Sequence, residues 1–221
     1  MSRATPQPLV LYSYFRSSAA YRVRIALNLK GLDYRTVPIH LVNNGGEQHS
    51  PGYLAVNPTG LVPALVADHV VLTQSLAIIE YLEETAPKPT LLPGTAMDRA
   101  KIRALALTIG CEIHPLNNLR VLQYLTGPLG LSEQARQEWY RHWVDAGLTA
   151  VEAMLADSSN DLFCHGETPT LADCFLIPQV FNALRFGGSL ANLPRIRAIY
   201  EHCTELEAFR LAAPAAQPDA A

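Results

Sequence analysis

Two serines, Ser17 and Ser18, stand between an apolar run at 9–14 and a segment of helical period that begins near Ala20. In the plain account a serine here caps the helix, its oxygen accepting from a free backbone amide. The same position also gathers the partial positive charge of a helix N-terminus, a hydroxyl donor and the nearby Arg16 and Arg22. All of these favour a thiolate over a thiol. A free thiol has a pKa of ~8.5, and each unit of depression corresponds to about 1.4 kcal/mol of preference for the anion. None of the four cysteines, Cys111, Cys164, Cys174 and Cys203, lies in this turn. Thiol chemistry at Ser17 therefore needs a sulfur carried in by a cofactor, and a dithiol oxidoreductase, which needs its own cysteine pair here, is disfavoured.

Two further places carry chemistry. Gln74-Ser75 follows a strand-like run and opens an amphipathic helix. Ser75 serves either as a cap or, with the free amides of that helix end and the Gln74 side chain, as a docking point for a carboxylate. Val62-Pro63 opens another strand-like run, and a proline in that place is a candidate cis bond that would turn the Val62 backbone toward a bound peptide. The basic cluster of Arg16, Arg22 and Arg24 reads most simply as a solvated helix face.

Positioning these groups requires a definite order of elements. Apolar and β-branched runs predict strands at 9–14, 34–41, 61–66 and 70–72, the last two joined by a turn at Asp68-His69. Helices are predicted at 20–30, with Gly31 at the C-terminal cap, and at 75–85. The polar stretch 43–46 reads as a mobile loop, and the three prolines between 86 and 94 read as a linker. Beyond Met97 nearly every segment has helical period: 97–110 continuing past Pro115 to 125, then 132–156, 171–184 and 196–211. Thr170 and Asp173 have capping-box spacing. The tail from 212 to 221 reads as loosely ordered. The expected architecture is a small α/β domain over 8–86 followed by an all-helical domain over 95–212.

Bulk properties narrow the class. Over 221 residues, 49% are hydrophobic and 17% charged, enough apolar material for a substantial core. A formal net charge of −3 offers no footprint for nucleic acid or an anionic membrane. The opening, 1–8, is polar and does not read as a signal peptide, and no apolar run approaches the ~20 residues that span a bilayer. The cysteines lack metal-ligand spacing, and the Cys164-His165 pair is too small to hold zinc. They are expected as buried apolar groups in a reducing cytoplasm.

The run from 12 to 27, with Arg16, Ser17, Ser18, Arg22 and Arg24, resembles the zeta-class glutathione transferase signature. So do Asn57-Pro58, Val62-Pro63 and the stretch from Gln74 to Glu84. In the helical half the resemblance continues at 113–118, at Pro178-Gln179-Val180 and at Arg185-Phe186, and it spans roughly 9 to 218 in register. It implies a thioredoxin-like N-terminal domain, an all-helical C-terminal domain, glutathione as cofactor and a cytoplasmic homodimer. The implied activity is cis–trans isomerisation of a small maleyl keto-diacid, with no nucleic acid, membrane or metal involved.

The resemblance also implies roles for individual residues. Ser17, beside Ser18, would donate a hydrogen bond to the glutathione sulfur, and Val62 would pair its backbone with the cysteinyl part. Gln74 and Ser75 would hold the γ-glutamyl carboxylate, and Gln48 would reach the glycyl end. His114 and Asn118 would close the site, while Arg16 and Arg185 would bind substrate carboxylates through their planar forks. His114, just before Pro115, has an alternative role in bonding a freed carbonyl. Where family members often have a cysteine after the two serines this chain has Ala19, and Tyr21 replaces a tryptophan. The rival activities are a general conjugating or haloacid-dehalogenating transferase and a non-catalytic glutathione-binding protein.

Overall fold

The computed structural model describes residues 8–157 and 162–220. Residues 1–7 of the polar opening 1–8, on which the reading about a signal peptide rests, lie outside the described residues, as does Ala221 at the end of the tail. The chain forms two compact units: Met1–Leu91 with Leu206–Ala221, and Leu92–Glu205. Residues 206–212, expected at the end of the helical domain, thus belong with the α/β unit.

The first unit opens with strand β1 (Leu9–Ser13), helix α1 (Ser18–Leu29) and strand β2 (Tyr34–Pro38). β2 runs parallel to β1, so α1 is the crossover that parallel pairing requires. The loop at 43–46 holds a short 3-10 turn over Asn43–Gly45, and a second over Glu47–His49 follows it. A short helix, α2 (Pro51–Val56), occupies the segment to which the apolar pattern assigned no element. Strands β3 (Ala64–Ala67) and β4 (Val70–Thr73) form an antiparallel hairpin. Asp68 and His69 at its tip have φ of 46° and 68°, the left-handed pair that a two-residue hairpin turn demands. Helix α3 (Ser75–Thr85) completes the unit's α/β part, and the sheet order is β2-β1-β3-β4.

Helix α1 has no solvated face. Ala20, Val23, Ile25, Ala26 and Leu27 are buried around its circumference, and Arg22 and Arg24 are only 3% and 0% exposed. This corrects the expectation of a solvated arginine cluster; of the three, only Arg16 is exposed. Burying a guanidinium requires that its donors be bonded. Arg24 donates Nε to Ala212 O at 2.9 Å, Nη1 to Ser13 Oγ at 2.9 Å and Tyr14 O at 3.3 Å, and Nη2 to Phe15 O at 3.0 Å. Burial lowers its pKa to about 10, against the opposing pull of Tyr34, Tyr21 and Asp219. The tail is not loose either. Helix α9 (Glu207–Ala212) packs on α1, and a 3-10 turn at Pro214–Ala216 leads into residues bonded to the β1–α1 turn.

In the second unit, helix α4 (Ala96–Leu107) runs into a π-helical stretch, Thr108–Ile113, and a 3-10 turn, His114–Asn117. Asn118 then caps a new helix, α5 (Leu119–Thr126), so one helix does not continue through Pro115 as expected. Pro115 has no amide hydrogen to extend a ladder, and the chain restarts behind it. Helices α6 (Glu133–Met154), α7 (Leu171–Arg185) and α8 (Pro194–Glu205) follow, with a break at Leu206 inside the segment expected as one helix. Gly147 on α6 lets the π stretch approach closely, since a Cβ there would sit 2.4 Å from Ile113 Cγ1. At the head of α7, Asp173 accepts from Thr170 N and Oγ1, each at 2.7 Å, and from Cys164 N at 2.8 Å. Cys164, Cys174 and Cys203 are buried as expected, but Cys111 is exposed. No helix among the described residues is long and apolar enough to cross a membrane.

Candidate active site

Strand register brings three turns of the first unit to one edge of the sheet. Tyr12 of β1 faces Ala64 of β3, and Ala64 faces Thr73 of β4. The end of β1 leading to Ser17, the approach to β3 at Val62 and the exit of β4 at Gln74-Ser75 therefore share that edge. Val62 is buried in one cluster with Tyr14, Phe15 and Tyr53, which ties the second turn directly to the first.

Ser17 is the N-cap of α1. Its Oγ accepts from Ala20 N at 3.2 Å, and its own amide donates to Tyr14 O at 2.9 Å. A hydroxyl has one donor and two acceptor positions, so the cap consumes an acceptor and leaves the proton available to an incoming anion. Capping and donation are therefore compatible uses of one side chain. Ser18 behind it is buried. Arg16 is exposed, its guanidinium 4.7 Å from the centre of the Phe15 ring.

The exit of β4 gathers groups that favour an anion. Gln74 precedes α3 with φ 69° and ψ 118°, a conformation costly for a residue with a side chain and of the kind that collects at functional positions. Ser75 begins the helix, where amides and helix dipole point outward. Its Oγ accepts from Arg22 Nη1 at 3.2 Å, so a buried cation stands behind the helix end. Dipole, hydroxyl and guanidinium all act in the same direction, toward a carboxylate.

The approach to β3 is braced from behind. Leu61 O accepts from Tyr53 Oη at 2.6 Å and from Asn57 Nδ2 at 2.7 Å, and the Val62-Pro63 bond is cis, as expected. Gln48 lies in the adjoining loop, close to Gly60. It is 6% exposed and turned inward, with Nε2 donating to Leu41 O at 3.3 Å. Gly46 (φ 100°) makes room for it, since a Cβ there would meet Gln48 Nε2 at 2.5 Å. Gln48 thus braces its loop in this structure. The donor set of this edge suits glutathione: a carboxylate end at Ser75, an extended backbone beside Val62 and a thiol position at Ser17.

In the second unit, Asn118 Nδ2 and His114 Nε2 lie 3.4 Å apart, so those two predicted residues are brought together. Asn118 also accepts from Arg120 N at 3.2 Å as the cap of α5. Arg185, at the end of α7, donates from Nη2 to Asn182 Oδ1 at 3.0 Å and lies 4.5 Å from the centre of the Phe186 ring. Tyr140 packs on that ring, with centroids 4.3 Å apart. Burial raises the pKa of its hydroxyl, against the opposing effects of Arg185 and Asn182. An exposed guanidinium aligned by an amide and a ring is ready for two-point contact with a carboxylate.

Several contributors were not anticipated: the buried bond from Arg22 to Ser75, Arg24 under the β1–α1 turn, and the Tyr53–Asn57 brace. Nothing local marks Asp219, whose carboxylate accepts from Phe15 N at 2.9 Å across 204 positions of sequence.

Comparison with known proteins gives concordant results. A family profile for the glutathione S-transferase N-terminal domain matches residues 16–85, and one for the C-terminal domain matches 133–205. A maleylpyruvate isomerase of a Ralstonia species is 51% identical over 213 residues, covering 96% of this chain and 99% of that protein. The holo structure of maleyl pyruvate isomerase, a bacterial zeta-class glutathione S-transferase, superposes with a TM-score of 0.92 at 49% identity, over 96% of this chain and all of that one, 100%. A maleylacetoacetate isomerase of Methylobacterium extorquens AM1, solved with malonate and glutathione bound, superposes with a TM-score of 0.91 at 40% identity, covering 96% and 99% of the two chains.

Proposed function

The chain belongs to the glutathione S-transferase family, among its zeta-class maleylacetoacetate and maleylpyruvate isomerases, and from that premise we propose how its residues carry out a glutathione-dependent cis–trans isomerisation of a maleyl keto-diacid. The observation that carries the reading is Ser17. Its hydroxyl caps α1 with an acceptor position and keeps a proton for an anion, in a turn without a cysteine. Glutathione, which Ser17, Val62, Gln74 and Ser75 would hold, would supply the thiolate whose reversible addition to the substrate double bond permits rotation to the trans isomer.

Ser17 donates a hydrogen bond to the sulfur, and the N-terminus of α1 adds its partial charge, so the anion is held ready before substrate arrives. Ser18 lines the same turn. The γ-glutamyl carboxylate is held at Gln74 and Ser75, with Arg22 behind them, and the Val62 backbone pairs with the cysteinyl unit. Gln48, bonded to Leu41, borders the glycyl end, while His114 and Asn118 contribute from the helical unit. Arg16 and Arg185 bind the substrate carboxylates, and a cation near the enone also stabilises negative charge developing on the carbonyl oxygen. A cytoplasmic homodimer is the compartment and assembly that the family implies, and the free thiols agree with a reducing compartment.

The test is turnover of maleylpyruvate and maleylacetoacetate with and without glutathione, beside a small haloacid. The expected result is isomerisation only with glutathione and at a higher rate than any reaction of the haloacid. Glutathione binding without isomerisation, or a faster haloacid reaction, overturns the proposal.

A further inference from the structure

The C-terminal tail returns to the turn that carries Ser17, and what it does there is specific. Asp219 Oδ2 accepts from Phe15 N at 2.9 Å, two residues before Ser17. The next atoms of the same turn are held from the other side by Arg24, on Ser13 Oγ, Tyr14 O and Phe15 O. Arg24 also bonds Ala212 O, at the end of α9, so one guanidinium joins the start of the tail to the turn. The tail is itself braced into shape. Gln217 Nε2 donates to Leu211 O at 2.9 Å and Ala213 O at 3.0 Å, and Ala220 N closes a turn on Gln217 O at 3.1 Å. That turn carries Asp219 inward and lays Ala220 against the cluster of Tyr14, Phe15, Tyr53 and Val62.

A strand-to-helix turn leaves amides without ladder partners, and each must be met for the turn to keep one conformation. An Asp219 oxygen meets the Phe15 amide in this way. From this arrangement we infer that Asp219 is a positioning residue for the reaction: its carboxylate fixes Phe15 and thereby sets where the Ser17 hydroxyl meets the glutathione sulfur. The tail is then a working part of the thiolate site, and Asp219 acts through the turn without touching substrate. The inference rests on the assignment of Ser17 to the sulfur.

The test compares full-length wild type with Asp219→Ala, Asp219→Asn and Ser17→Ala. Each is measured for thermal stability, for kcat and KM with glutathione, and for the pH titration of the bound glutathione thiolate by its ultraviolet absorbance. Asp219→Ala is expected to lower kcat about 10- to 100-fold, up to the scale of a catalytic group misplaced by about 1 Å, and to move the thiol titration upward. Asp219→Asn keeps an acceptor oxygen of the same shape and should recover most of both. Loss of stability with an unchanged thiol titration, or no recovery in Asp219→Asn beyond Asp219→Ala, overturns the inference. The Ser17→Ala arm separates the two levels. If it too leaves the titration unmoved, the assignment of Ser17 fails; if it moves the titration and Asp219→Ala does not, only the tail's role fails.

Discussion

Replacing Ser17 removes two things at once, and their sizes can be separated. One is the cap bond from Ala20 N, long at 3.2 Å, whose loss with alanine costs about 1 kcal/mol or less. In a chain of 221 residues that is a fall of about 2–4 °C in Tm. The other is the hydrogen bond to an anionic sulfur, about 1.5–3 kcal/mol for a charged partner. At about 1.4 kcal/mol per unit, that moves the bound thiol upward by roughly 1–2 pKa units. Glycine is a tolerable cap that costs only a few tenths of a kcal/mol relative to serine, yet it donates nothing. Ser17→Gly and Ser17→Ala should therefore differ in Tm but agree in the thiol titration, read from thiolate absorbance against pH. Titration curves identical to wild type in both variants would reduce Ser17 to a cap. A shift in the alanine variant alone would trace the effect to the helix end and not to the hydroxyl.

Three other perturbations probe the remaining parts. Arg185→Ala should lower kcat/KM on a diacid about 10- to 100-fold, the value of one charged hydrogen-bonded contact, while a neutral electrophile is little affected; equal losses on both would make the residue structural. Asp173→Ala strands three donors at the head of α7, Thr170 N, Thr170 Oγ1 and Cys164 N, and should cost about 3–5 kcal/mol in denaturant unfolding. A loss below about 1 kcal/mol would show that the helix end finds other partners. Burial pushes the Glu83 carboxyl up, but the Leu91 amide, Lys30 and Thr90 outweigh it and hold its pKa below the ordinary value. A carboxylate depressed in the folded state contributes stability above its unfolded pKa and loses it as pH falls through the folded one. The gap in urea stability between wild type and Glu83→Gln should therefore close as pH drops from about 7 to about 3. A constant gap would mean that the ion pair with Lys30, at 2.7 Å, is not its source.

Much of this protein was legible along the chain because the relevant information is local. Continuous apolar runs mark β1 and the β3–β4 hairpin, period-3.6 patterns mark α1 and α3, and Asp68-His69 and Thr170–Asp173 mark a turn and a cap over a few residues. Serine at the head of α1 and at the head of α3 identified two helix ends suited to anions before any contact was known. The zeta-class resemblance, carried by whole runs in register, supplied the cofactor and reaction type. What local pattern could not decide was anything set by distant partners. Whether Arg22 and Arg24 faced solvent or stood inside the unit depended on Ser75 Oγ and on carbonyls of 14, 15 and 212. Whether 97–125 was one helix depended on how the chain passes from a π stretch through Pro115 to a new cap at Asn118. The tail shows the limit most clearly. Alanine and proline offer no pattern of their own, yet Gln217 folds that segment back on itself and Asp219 meets an amide 204 positions away. The sequence alone determined which helix ends could hold a thiolate and a carboxylate. Only the tertiary structure decided which buried cation and which distant carboxylate hold those ends in place, because those bonds join groups that no local period relates.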